Sequence, residues 1–158
     1  MKVFKLIYSV CFLCILLFSC SHNSTFEGYY SFDDNKWILN DEVKFYPEIK
    51  DTVSGYNVYV TVRNTPKFEN MNLWLFVKAE NPDGSLTRDT INCFLADKRG
   101  HWLGSGLGDI FESRHVLKKK VLFPQSGKYK FTILNGMRDL DLKGLSDIGF
   151  SIEKIENK

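Results

Sequence analysis

A chain of 158 residues, 44% hydrophobic and 25% charged, is long enough for one domain with a sizeable core. Its 21 basic and 19 acidic residues leave a formal charge of only +2, which argues against the broad electrostatic footprint that nucleic-acid binding needs.

The first element is the apolar run "LIYSVCFLCILLFSC". Lys2 and Lys5 form a positive n-region, and Leu6 to Phe18 has the length of a signal-peptide h-region. That is shorter than the roughly 20 apolar residues of a spanning helix. The run ends on Leu17-Phe18-Ser19-Cys20, which has the form of a bacterial lipobox, although Phe18 is bulkier than is common there. We expect residues 1–19 to be a lipoprotein signal removed ahead of Cys20, whose thiol carries a diacylglyceryl group. An ordinary signal followed by a chance cysteine, or an uncleaved anchor helix, are the alternatives. Each buried methylene contributes about 0.8 kcal/mol, so two or more acyl chains give stable membrane attachment. Cys20→Ala is therefore expected to release the protein from membranes on fractionation; unchanged association of that variant would contradict the anchor.

Cleavage changes the counts. Loss of Lys2 and Lys5 from 21 basic residues leaves 19 against 19 acidic, a neutral mature chain. Cys11 and Cys14 go with the signal and Cys20 is consumed, so Cys93 is left without a disulfide partner. Within "INCFLA" it reads as a small core hydrophobe.

Residues 20–26 read as a lipidated tether and 27–158 as a single domain without repeats or low-complexity tracts. The prevailing pattern is period-two alternation. In "YNVYVTVRN", Val58, Val60 and Val62 oppose Tyr59 and Thr61. In "NLWLFVKA", Leu73, Leu75 and Val77 alternate with Trp74 and Phe76; both faces are apolar, which predicts a central strand covered on both sides, with Trp74 in the core. "NPDG" at 81–84 places Pro82 second and Gly84 fourth, a type I turn joining this strand to "LTRDTINCFLA" as a hairpin. "KYKFTIL" sets Tyr129, Phe131 and Ile133 against Lys128, Lys130 and Thr132, and "DIGFSIEKI" repeats the pattern with Ile148, Phe150 and Ile152. "EGYYSF", "EVKFYPE" and "VLKKKVLF" complete about eight strands. Short helical turns are expected only near 33–41 or 138–145. The fold class is all-β: an antiparallel sandwich, Ig-like or jelly-roll.

Chemistry is sparse. "GSGLGD" at 104–109 lacks the strand–glycine–helix context of a dinucleotide site and reads as a flexible or tightly turned loop. Asp97, Asp109, Asp139, Asp141 and Asp147 fall in segments read as loops, but in no calcium-ligating spacing. His101 and His115 stand alone, so no metal site and no cofactor are expected. No nucleophile–base motif is present, and the chain reads as a non-enzyme. Lys118, Lys119 and Lys120 read as a solvated run. The candidate contact surface is the loop "RGHWLGSGLGD", with Arg99, His101, Trp102 and Asp109 as its candidate residues, because it mixes glycines, an aromatic ring and charges. A weaker alternative is a glycan- or peptidoglycan-binding module using Trp37, Trp74 and Trp102 as stacking platforms.

Several stretches, taken together, resemble the gliding motility lipoprotein GldH family of Bacteroidetes: "NLWLFV", "DTINCFLADKRGHWLGSGLGDIFESR", "FPQSGKYKFTILNGMRD" and "DIGFSIEK". The run from Leu95 to Ile110 is the most specific. The resemblance implies a non-catalytic envelope lipoprotein associated with gliding and the linked type IX secretion machinery. It further implies lipid attachment at Cys20 and other envelope lipoproteins as partners. No acidic residue follows Cys20 before Glu27, so the domain is expected to face the periplasm from the inner or outer membrane. "DTV" at 51–53 and "DTI" at 89–91 are similar to Bacteroidetes O-glycosylation tripeptides, at Thr52 and Thr90.

Overall fold

Alternating apolar side chains, each row buried by a facing sheet, set the architecture of the computed structural model, which describes residues 24–106 and 108–156. Cys20 and His22 lie outside the described residues. The strands in chain order are β1 (Ser24–Ser31), β2 (Lys36–Ile38), β3 (Val43–Phe45), β4 (Glu48–Ile49), β5 (Tyr56–Asn64) and β6 (Asn72–Glu80), then β7 (Leu86–Phe94), β8 (Phe111–Val121), β9 (Gly127–Lys128), β10 (Lys130–Asn135), β11 (Asp141–Lys143) and β12 (Leu145–Lys154). A single 3-10 turn covers Asp33–Asn35. The other segment where a short helical turn had room to form, 138–145, instead holds β11, which pairs with β2.

Two four-stranded sheets carry the fold, ordered β1-β12-β5-β8 and β3-β10-β6-β7, and every pairing in them is antiparallel. Among the eight strands of these two sheets, taken in chain order, the first pairs with the last, the second with the seventh, the third with the sixth and the fourth with the fifth. This nesting is a long hairpin rolled up on itself, the jelly-roll arrangement. Of the two sandwich topologies left open by sequence, it is the one adopted. β2 with β11 and β4 with β9 are short accessory ribbons.

The inner faces interdigitate as the alternation predicts. Val58, Val60 and Val62 of β5 and Ile148, Phe150 and Ile152 of β12 face Leu73, Leu75 and Val77 of β6 and Phe131 and Ile133 of β10, all buried. Cys93 is wholly buried, and burial pushes its thiol up to about 12, so it packs as a hydrophobe and has no nucleophilic character at neutral pH. At the β1/β3 edge Phe26 meets Phe45 edge to face at 6.3 Å between ring centroids and closes the seam. At the β7/β8 edge the sheets part, leaving an apolar cavity of about 210 Å³ lined by Val58, Leu117, Val121, Phe123 and Phe131; Asp89 and Lys118 also line it and form an ion pair of 2.9 Å.

The two ends of the sandwich differ. One gathers the start of β1, the end of β12, the start of β5 and the end of β8, because Ser24 pairs with Glu153, Lys154 with Tyr56 and Tyr56 with Val121. The β6–β7 hairpin turns at this end, where Gly84 N–H donates to Asn81 at 2.9 Å with φ +84° at Gly84, as the "NPDG" reading anticipates. The other end holds the β7–β8 loop.

Candidate functional site

Strand β6 is central in its sheet, yet only its inner row is covered. Trp74 and Phe76 point outward and are 42% and 49% exposed, which corrects the placement of Trp74 in the core and of β6 between two layers. An alternating strand that is apolar on both faces suits a central strand under cover equally well as one whose second face is left bare. Phe76 lies across from Thr90 of β7 and Leu134 of β10, and Trp74 from Asn92. Asn92 is held by Asn72 Nδ2 at 2.7 Å. Gly136 N–H donates to Trp74 O at 2.8 Å, and Trp74 N–H points at Met137 Sδ at 3.4 Å. Phe94, 57% exposed, ends β7 on the same outer face and leads into the β7–β8 loop. The result is an aromatic band along one sheet face, flanked by Lys78, Arg88 and Glu42, which line a groove beside Phe76. No single residue type announces it; the signal was the second apolar row itself.

The outer face of the other sheet is occupied by its own side chains. Arg63 stacks over Tyr29 at 4.3 Å and pairs with Glu112 at 2.7 Å. Arg114 stacks over Tyr59 at 3.7 Å, pairs with Glu153 at 2.7 Å and donates to Ser151 Oγ at 3.1 Å. Tyr29 also lies against Gly149, where an added Cβ would overlap its ring. Desolvation, more than the neighbouring Glu112 and Glu27, raises the Tyr29 phenol. These residues alternate along β5 and β8 and were legible only as a polar row. Stacking gives each guanidinium an aromatic partner as well as a carboxylate.

In the β7–β8 loop, Asp97 builds a tight turn. Its carboxylate accepts from Arg99 N–H at 2.8 Å and His101 N–H at 2.9 Å and lies 3.2 Å from His101 Nδ1. The backbone bond from His101, ahead of the other contacts, lowers the Asp97 pKa. Arg99 and His101 thus come together on one exposed turn. Trp102 turns inward, tilted on Phe111 at 5.8 Å and packed on the core. Beyond it Ser105 and Glu112 exchange backbone bonds of 3.0 and 2.8 Å. Gly106 is required there, since any Cβ would overlap the Ile110 carbonyl oxygen. Residues 104–106 are therefore tightly turned, and Asp109 sits exposed further along the loop.

Of the remaining acidic candidates, Asp139 is exposed in the loop before β11, while Asp147 and Asp141 serve structure. Asp147 lies in β12 and not in a loop; it is buried and accepts from the hydroxyls of Ser31 at 2.5 Å and Ser146 at 2.6 Å. Asp141 lies in β11 and pairs with Lys36 at 2.6 Å. Among the described residues no three His, Cys, Asp or Glu side chains converge as a metal site. Ser113 Oγ and His115 Nε2 are 2.9 Å apart, but they sit opposite Val62 and Val60 on β8, and burial lowers the His115 pKa. Thr90 is exposed on the aromatic face and Thr52 is half-buried before β5. Among the described residues no helix is long and apolar enough to cross a membrane.

Similarity to known proteins follows the same span. The family described as "GldH lipoprotein" matches residues 24–152. The chain is 33% identical to the gliding motility lipoprotein GldH homolog of Christiangramia forsetii, over 99% of this chain and 97% of that one. It is 34% identical to the gliding motility lipoprotein GldH of Flavobacterium johnsoniae, over 89% and 91% of the two. Among solved structures, the Yersinia pseudotuberculosis-derived mitogen superposes with a TM-score of 0.37 and 10% identity, over 85% of this chain and 90% of that one. Because the family match runs from β1 into β12 and both relatives are covered almost end to end, the chain belongs to the GldH family of gliding motility lipoproteins.

Proposed function

We propose that this protein is a non-enzymatic binding component of the gliding and type IX secretion machinery, held on the periplasmic side of a membrane through lipid on Cys20. Its partner is another envelope protein. The observation that carries this reading is the contrast between the two outer faces. One sheet is capped by its own Arg–Tyr stacks and ion pairs. The other leaves Trp74, Phe76 and Phe94 bare in a contiguous band. Exposed aromatics rimmed by charge mark interaction sites, and aromatic anchors dominate binding energy. Arg99, His101 and Asp109, on the loop that follows Phe94, add a smaller polar contact at the rim.

The test is a Trp74→Ala/Phe76→Ala double variant. Both side chains are about half exposed, so thermal stability should change little, while partner capture by in-cell cross-linking should fall at least tenfold and gliding should fail. Undiminished capture by a folded double variant overturns the reading. A second reading rests on the same band: Trp74 and Phe76 lie two residues apart on one strand face, about 7 Å along the strand, a spacing suited to stacking on successive sugar rings. Retention of the wild type, but not of the double variant, on peptidoglycan or an oligosaccharide column would favour it.

A further inference from the structure

The end of the sandwich at which β1 begins carries two of the most exposed apolar side chains of the described residues. Val53, 88% exposed, tips the segment before β5, and Leu122, 63% exposed, follows β8. They belong to one rigid surface. Tyr56 OH donates to Asp51 O at 2.8 Å, and Tyr56 pairs with Val121 across β5 and β8. The Tyr56 ring also meets Phe123 edge to face at 5.3 Å. The Val53 loop is tied internally by Asp51, which accepts from the N–H groups of Val53 at 2.8 Å and Ser54 at 3.1 Å and pairs with Lys154 at 2.6 Å. Lys154, ahead of Ser54, holds the Asp51 carboxyl well below the usual carboxylate range, so these ties persist in mild acid. An apolar side chain fixed outward at the tip of an ordered loop is not explained by packing.

The position of Ser24 supplies the occupant. Ser24 lies at this same end, and only three residues stand between it and Cys20, four chain steps with a reach of at most about 14 Å. Lipid on Cys20 therefore brings this end, and not the β7–β8 loop, to within a few residues of the bilayer. We infer that Val53 and Leu122 seat in the lipid surface, so that the domain stands upright with its β7–β8 loop directed away from the membrane. Lys119 and Lys120, exposed beside Leu122, lie at headgroup depth, where long cationic stems fit. Glu48, paired with Lys128 across the β4–β9 ribbon, and Asp83, bonded by Gln125, share the same end, so the apolar tips rather than charge set the seat, and the contact should depend only weakly on salt. The inference rests on the lipid anchor proposed above.

The test uses the lipidated protein purified from membranes and reconstituted into phosphatidylethanolamine/phosphatidylglycerol vesicles. Cys93 is wholly buried, so a cysteine introduced at Val53, Leu122 or, as a control, Leu103 takes an environment-sensitive dye selectively. Dyes at 53 and 122 should shift to shorter wavelength on reconstitution. They should be quenched by lipids bearing nitroxides near the headgroup, by at least threefold more than the dye at 103. Equal quenching at all three positions overturns the orientation. Vesicle flotation is read on the same samples: protein that fails to float refutes the anchor, whereas protein that floats without quenching at 53 and 122 refutes only the seat.

Discussion

Phe150→Ala is expected to lower stability by about 3–5 kcal/mol, the range for emptying a large buried aromatic site. Phe150 is 1% exposed and lies 4.6 Å from Phe131 and 5.5 Å from Phe45 between ring centroids, with Phe26 at 6.4 Å. Phe26 and Phe150 belong to one sheet and Phe45 and Phe131 to the other, so this ring cluster is where the two layers grip each other. Each aromatic pair contributes about 0.5–1.5 kcal/mol beyond the area it buries. The neighbours Ile148 and Ile152 are fixed on the same strand and cannot move into the space. A domain of this size is stable by only about 5–15 kcal/mol, so the variant should sit near the edge of folding at 37 °C. Urea midpoints should fall in the order wild type, Phe150→Leu, Phe150→Ala, with leucine intermediate because it fills part of the site. A midpoint for the alanine variant equal to wild type would refute the cluster's role.

The second large effect concerns Gly144, which joins three segments. Its N–H donates to Asn35 O at 2.8 Å, and its carbonyl accepts from Thr65 N–H at 2.8 Å. Its φ is +83°, and an added Cβ would overlap the backbone of Lys67 and Phe68, which cannot rotate aside. Gly144→Ala should therefore cost about 2–4 kcal/mol, made up of about 1 kcal/mol for the left-handed conformation and the rest for displacing the 65–68 turn. Gly84 provides the control, with nearly the same φ, +84°, and nothing near the added carbon. Gly84→Ala should show the conformational cost alone, about 1 kcal/mol. Equal losses from the two substitutions, by thermal melts of both, would show that the 65–68 turn yields easily and that Gly144 is not a packing constraint.

Much of the fold was readable because the pleat repeats every two residues. Val58 to Val62 and Ile148 to Ile152 declare their buried face directly, and the "NPDG" hairpin follows from the conformational limits of Pro82 and the freedom of Gly84. Topology was not readable. The pairing of β1 with β12 is a contact across nearly the whole chain, and no local pattern encodes it; the accessory strands β2, β4, β9 and β11 are two or three residues long, too short for periodicity. Over 138–145 the residues show no period of either kind and left room for a short helical turn, yet Leu142 pairs with Trp37 across the β2–β11 ribbon and both are buried. The candidate site was misread for a related reason. Trp74 has the composition of a core residue, and only the missing third layer leaves it at the surface. In the β7–β8 loop, Trp102 was read both as a contact candidate and as a ring packed under the loop; it packs, on Phe111, nine residues on. Family membership was legible from the run Leu95 to Ile110, whose glycines Gly104 and Gly106 are set by close backbone approach.

The nested strand order also governs how the domain can come into being. β12, made last, is the partner of β1, made first, and fills the middle of its sheet between β1 and β5. Closing a contact across about 130 residues carries a large entropic cost and slows assembly. Until β12 is available, β1 and β5 each lack a neighbour and expose rows of apolar side chains. The apolar rows of β1 and β5 therefore stay open to wrong partners until β12 takes its place, and only then is this sheet complete.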